Sequence, residues 1–271
     1  MVQQQPGRFM TRFILLGHAR CGSTLLICSL SKHPDIHLFG ELFNTVEEER
    51  QRSFRSGLRF PQAARAKGDG TATDPHDFYR YGDDGVAFLH RNVFYEHAHS
   101  PVAVGFKLFY QQARATPGAR RVWRYLGAHP EVRVVHLVRR NLLESLLSLR
   151  VALATDEWAR PRGAPAAAPP PVRLRAEECE RYFARVERGR ERARRRFAGH
   201  AVLEVEYERD LCGRFGEAVR GVERFLGVPE GGAAATPQLE KQGVGGLRER
   251  VSNYEELRRH FRGSLYSHLF P

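Results

Sequence analysis

The sequence predicts an α/β fold: a central, mostly parallel sheet flanked by helices in three layers, as one domain over residues 1–271. Three observations predict it. Short apolar runs alternate with helical stretches along the chain. The first run ends in a glycine turn that opens directly into a helix. The composition, 42% hydrophobic and 27% charged, is that of a globular chain and excludes a collagen-like or disordered one.

Phe13–Leu16 (FILL) is an apolar run that stops at Gly17 and reads as a buried strand. The turn GHARCG follows, then a helix over STLLICSL with Pro34 beyond it as a stop. Residues 45–100 are polar, Arg-rich and dotted with Gly and Pro, and predict loops and short helices. Val102–Phe109 is the second strand, and Val122–His129 is helical. Val132–Val138 is the third strand, and Asn141–Leu153 an apolar helix. The Pro/Ala run at 160–171 can continue neither helix nor ladder and suits a linker or lid. Glu177–Phe197 is a long Arg-studded helix whose charges read as a solvated face. Ala201–Val205 is the fourth strand. Glu217–Leu226 is an amphipathic helix closed by Gly227 and Pro229. A Gly-rich loop at 230–247 and a last helix at Tyr254–Phe261 complete the chain.

The net charge of +12 points to an anionic partner: nucleic acid, an anionic membrane, or a phosphorylated or sulfated ligand. Only Lys32, Lys67, Lys107 and Lys241 are lysines, and the Arg, Ala, Gly and Pro bias has the look of base composition, so part of the charge needs no partner. The N-terminus has no signal-peptide pattern, and no apolar run reaches the ~18–20 residues of a membrane span, so a cytoplasmic protein is expected. Cys21, Cys28, Cys179 and Cys212 have neither C-x-x-C nor zinc spacing and are expected as reduced thiols. His90, His97 and His99 lie in a polar stretch without metal-ligand spacing, so no metal is expected. The sequence leaves a homodimer open.

Residues 17–24, Gly-His-Ala-Arg-Cys-Gly-Ser-Thr, nearly spell the phosphate-binding loop G-x-x-x-x-G-K-[ST] between strand and helix. N–H groups at a helix N-terminus face an anion there, and Gly22 lets the backbone come close. Ser23 stands where the lysine of a nucleoside-triphosphate enzyme belongs, and the cation is Arg20 inside the turn. A purely structural turn, or a thiolate nucleophile at Cys21, are rival readings of this segment. The second anion candidate is VRRNLLESLLS. Arg139 and Arg140 end a strand, and Ser148, eight residues after Arg140, sits on the next helix where it can point back toward the arginine. That edge of a parallel sheet is where ligands bind.

Together these segments resemble the sulfotransferases that use 3′-phosphoadenosine 5′-phosphosulfate (PAPS), a P-loop-like fold. HARCGSTLL is similar to that family's 5′-phosphosulfate loop, and RRNLLESLLS to its 3′-phosphate motif. VLEVEYERDL with VERFLGVP is similar to its Tyr-Glu segment and closing helix. FGELFN and KQGVGGLRERVSNYEEL look like segments of bacterial carbohydrate-type members, the nodulation-factor and trehalose sulfotransferases among them. The likeness covers about residues 13–44, 102–109, 132–153 and 201–261.

The resemblance implies sulfuryl transfer from PAPS to a hydroxyl of a carbohydrate, glycolipid or natural product, without metal, leaving adenosine 3′,5′-bisphosphate (PAP). It implies Glu41 as the base, with Arg20 and Lys107 stabilising charge. Cys21, Gly22, Ser23 and Thr24 would bind the 5′-phosphate with Arg20, Arg140 and Ser148 the 3′-phosphate, and Tyr207 would lie by the adenine. The cytosolic eukaryotic members use a histidine where this chain has Phe109. His90, His97 and His99 stay open as alternative bases, and Lys241–Tyr254 has no assigned role. Segments 45–100 and 155–180 are expected to face the acceptor. An ATP-dependent small-molecule kinase and a nucleic-acid-binding module are the rival functions.

Overall fold

A computed structural model describes residues 10–57, 84–95, 101–114, 116–164, 169–240 and 245–271. Five strands form one parallel sheet: β1 (Thr11–Gly17), β2 (Ile36–Phe39), β3 (Ala103–Phe109), β4 (Arg133–Val138) and a strand at Val202–Glu206. A two-residue strand at Arg160–Pro161 is β5, so Val202–Glu206 is β6. The spatial order is β2-β3-β1-β4-β6. The chain passes from β1 outward to β2, returns through β3, then crosses to the other side of β1. Such a reversal opens a crevice at the carboxyl end of the central strand.

β1 is apolar on both faces because both are covered. Ile14 and Leu16 belong to one hydrophobic cluster, Phe13 and Leu15 to the other. The first cluster holds α3 (Gly85–Asn92), α4 (Pro117–Ala128), α5 (Leu142–Thr155) and α6 (Ala176–Arg196) against the sheet. The second holds α1 (Ser23–Leu30) and α7 (Phe215–Leu226). α2 (Glu47–Gly57) follows β2. This is the layered α/β arrangement that the alternation predicted.

Several boundaries differ from expectation. β2 was not anticipated: four residues with His37 among them carry little periodic signal. α4 starts at Pro117 rather than Val122, because Thr116 accepts from the Ala119 N–H at 3.1 Å and Pro117 fits the first helical turn. α5 is likewise opened by Asn141, which accepts from the Glu144 N–H at 2.9 Å. β6 runs into a π-helical turn at Tyr207–Leu211. The expected loops at 160–171 and 230–247 are joined where β5 pairs antiparallel with β7 (Leu239–Glu240). A short α8 (Leu247–Arg250) and α9 (Tyr254–His260) close the fold. Among the described residues, no helix is long and apolar enough to cross a membrane.

Candidate active site

Every strand of the parallel sheet delivers a residue to one cavity just beyond its carboxyl end. Glu41 follows β2, Tyr110 follows β3, His18 follows β1, Arg139 follows β4 and Tyr207 follows β6. The cavity measures about 1240 Å³.

The glycine turn forms its floor. Arg20 and Gly22 both have positive φ, 66° and 92°. Gly22 is required twice over, since a Cβ there would lie 2.5 Å from Tyr207 Cδ2 and 2.9 Å from Leu211 Cδ1. No side chain caps α1, whose first residues, Ser23 and Thr24, line the cavity at the positive end of the helix. The Cys21 side chain turns the other way. It is fully buried, a Cβ on Gly17 would lie 2.8 Å from its Sγ, and burial pushes its pKa up. It does not line the cavity, so Cys21 is not placed as a nucleophilic thiolate and can offer a ligand only its backbone.

Arg20 bridges three parts of the wall. Its Nε donates to Ser148 Oγ at 2.9 Å on α5, and its Nη1 to the Trp158 carbonyl at 2.5 Å. Arg139 is buried and donates to the Arg20 carbonyl at 2.9 Å, its guanidinium 4.3 Å from the centre of the Tyr207 ring. Burial, chiefly, pushes the Tyr207 hydroxyl up to about 12. The expected pairing of Ser148 with Arg140 is not formed. Arg140 is 68% exposed, lies outside the cavity lining, and holds Glu206 at 2.5 Å. Its predecessor, Arg139, is the arginine that enters.

On the opposite wall, Lys107 Nζ lies 2.7 Å from Glu41 Oε1. Lys107 is mostly buried, its ammonium 4.9 Å from the centre of the Phe109 ring. Glu41 Oε2 accepts from Gln112 Nε2 at 2.6 Å and from Asn44 Nδ2 at 2.9 Å. Gln112 is itself fixed, its Oε1 accepting the Phe109 N–H at 2.9 Å. Three donors therefore hold one carboxylate at the cavity edge.

Sequence reasoning missed Gln112, Asn44 and His18. His18 is buried, with Nε2 3.1 Å from Ser145 Oγ, which is 2.8 Å from the Tyr182 hydroxyl. Burial, then the charges of Arg190 and Arg139, push its pKa well down, so it stays neutral. His90 is exposed on α3, edge-on to Tyr125 at 5.1 Å and outside the cavity lining. His97, His99 and Lys241 lie outside the described residues. Among the described residues, no three His, Cys, Asp or Glu side chains gather as a metal site.

The profile of the Sulfotransferase family matches residues 13–231, a span that includes the glycine turn, both walls and Tyr207. The chain belongs to the sulfotransferase family. This sulfotransferase is similar to nodulation protein H of Rhizobium meliloti strain 1021, 29% identical over 262 residues, which cover 95% of this chain and 94% of that one. Nodulation protein H of Rhizobium tropici is 28% identical over 258 residues, covering 95% and 92%. Among solved structures, a sulfotransferase from Alicyclobacillus acidocaldarius aligns over 94% of this chain and 92% of its own, at 18% identity and a TM-score of 0.48.

Proposed function

We propose that this sulfotransferase moves a sulfuryl group from PAPS to a hydroxyl of a carbohydrate, glycolipid or natural-product acceptor, by in-line transfer with Glu41 as general base. The observation that carries the proposal is the Glu41–Lys107 pair at 2.7 Å, in the same cavity as an uncapped helix N-terminus.

The residues present suit a nucleotide with phosphate at both ends. The N–H groups of Gly22, Ser23 and Thr24, with the Cys21 backbone, hold the 5′-phosphate. Ser148 and Arg140 hold the 3′-phosphate. For this, Arg140, whose own side chain is 68% exposed, exchanges Glu206 for the ligand. Tyr207, wedged against Gly22, flanks the adenine.

Glu41 takes the proton of the acceptor hydroxyl. As its charge is neutralised, it loosens its hold on Lys107, whose ammonium then serves the bridging oxygen as that oxygen gains charge. Arg20 steadies the sulfonate. The site works by positioning and by preorganised charge. One domain over residues 1–271 houses it, with 45–100 and 155–180 toward the acceptor. A cytoplasmic setting, where its four unpaired cysteines stay reduced, goes with this reading.

Thermal stabilisation by PAP, compared with ATP plus Mg²⁺, tests it, because a specific ligand raises the melting temperature by mass action. PAP is expected to stabilise the protein and PAPS to serve as donor. Stabilisation only by ATP with Mg²⁺ would replace this proposal with the kinase reading.

A further inference from the structure

The walls of the cavity carry more positive charge than a donor nucleotide needs. Among the described residues four carboxylates line it, and each is already engaged. Glu41 holds Lys107, and Glu49 holds Arg52 at 2.8 Å. Glu144 lies 3.5 Å from Arg139 and 3.3 Å from Arg250. Glu240 accepts from the Gly163 N–H at 3.2 Å.

Three further arginines line the cavity without an ion-pair partner among the described residues: Arg114, Arg185 and Arg192. Arg185 and Arg192 are two turns apart on one stripe of α6. Arg114 comes from the loop after β3. The two elements meet closely because α6 carries Gly189 where they touch. A Cβ at that position would lie 2.5 Å from the Tyr110 ring.

Two of the guanidinium groups are also held. Arg114 donates to the Tyr110 carbonyl at 2.7 Å and lies 5.1 Å from the centre of the Trp123 ring. Arg185 lies 5.4 Å from the centre of the Tyr182 ring. Burial, then the neighbouring charges of Arg192 and Arg196, lower the Arg114 pKa. Arg114 and Arg192 are thus like charges near one another in the exposed cavity wall, an arrangement that an anion joining them would relieve.

We infer that the acceptor carries an anionic group of its own, a carboxylate, phosphate or sulfate, and that Arg114, Arg185 and Arg192 bind it while a hydroxyl of the same molecule meets Glu41. This rests on the sulfuryl-transfer reading above and narrows its acceptor class. Planar guanidinium groups grip such oxyanions in pairs, which a neutral sugar cannot exploit.

The test uses the full chain saturated with PAP, so that the nucleotide's two phosphate sites are filled. Binding of glucose 6-phosphate, glucuronate and glucose is then measured by calorimetry. The two anions are expected to bind about 10–100-fold tighter than glucose, the worth of one or two charge-assisted hydrogen bonds. The preference should weaken with salt. Arg185→Gln/Arg192→Gln should erase it, and PAP binding by that variant reports that it is folded. Equal affinities, no binding of either anion, or a preference that survives in the variant would overturn the inference and leave the donor assignment standing. Failure of PAP itself to bind would remove both.

Discussion

The ammonium of Lys107 and the carboxylate of Glu41 meet at 2.7 Å across the ends of two neighbouring strands, β3 and β2. The proposed base and the cation proposed to serve the bridging oxygen are thus held as one pair. Glu41→Gln keeps the shape and removes the proton acceptor. Turnover should fall on the order of 10²–10⁴-fold, while PAP affinity by calorimetry stays near that of the native protein. Turnover close to native would remove Glu41 from the base role.

Gln112 ties that carboxylate to the backbone of β3 through the Phe109 N–H. Gln112→Ala deletes one hydrogen bond to a charged group, about 1.5–3 kcal/mol. Since Gln112 acts by orienting Glu41, the loss should fall on kcat, up to about 100-fold, with the KM for PAPS unchanged. A change in KM alone would make Gln112 part of the binding surface instead.

Ser148 and Arg140 are assigned to the 3′-phosphate. Ser148→Ala and Arg140→Ala should each weaken PAP far more than adenosine 5′-phosphate, read by competitive displacement. Arg139→Ala should weaken both, because Arg139 braces the glycine turn through the Arg20 carbonyl and covers Tyr207. Equal losses for the two nucleotides in Arg140→Ala would move the 3′-phosphate away from that residue.

Gly22→Ala meets both the positive φ and the ring of Tyr207. The backbone term alone should cost about 1–3 kcal/mol of stability. A melting curve with and without PAP separates the two consequences. The variant should melt lower, and PAP should no longer raise its melting temperature.

His136 is 3% exposed, and its Nε2 is 2.7 Å from the Tyr110 hydroxyl. Burial, only partly offset by Glu204, pushes its pKa from 6.5 down to about 4. Between those values the unfolded chain binds the proton and the folded one does not, so this stability is complete above pH 6.5 and is lost as pH falls toward 4. The loss across that window is ~3 kcal/mol. His18 is displaced in the same direction. In His136→Gln the melting temperature should fall less steeply from pH 7 to about pH 4.5 than in the native protein. Parallel slopes would show that His136 carries none of the dependence.

Local signals made much of the fold legible. FILL, VAVGFKLF and VRVVHLV are apolar enough to be strands buried on both faces, and each is one. β2 escaped because four residues containing a histidine show no period. The site was legible where one residue type in a turn sufficed, as with Gly22. Gln112, Asn44 and His18 were not, because a neutral amide or imidazole acquires its role only from the neighbours that the fold brings to it. Helical spacing also pointed Ser148 toward Arg140, whereas its hydroxyl takes the Arg20 Nε hydrogen in the structure. Spacing fixes which face of α5 the hydroxyl occupies, but not which neighbouring arginine turns inward.

The contact between Gly22 and Tyr207 has a consequence for how such chains can diverge. The space a side chain would need at position 22 is filled by a ring from the far end of the sheet. The two positions therefore constrain each other's size. A larger residue can be fixed at 22 only in a lineage that has already accepted a smaller one at 207, and that lineage would have given up the aromatic wall beside the anion cradle.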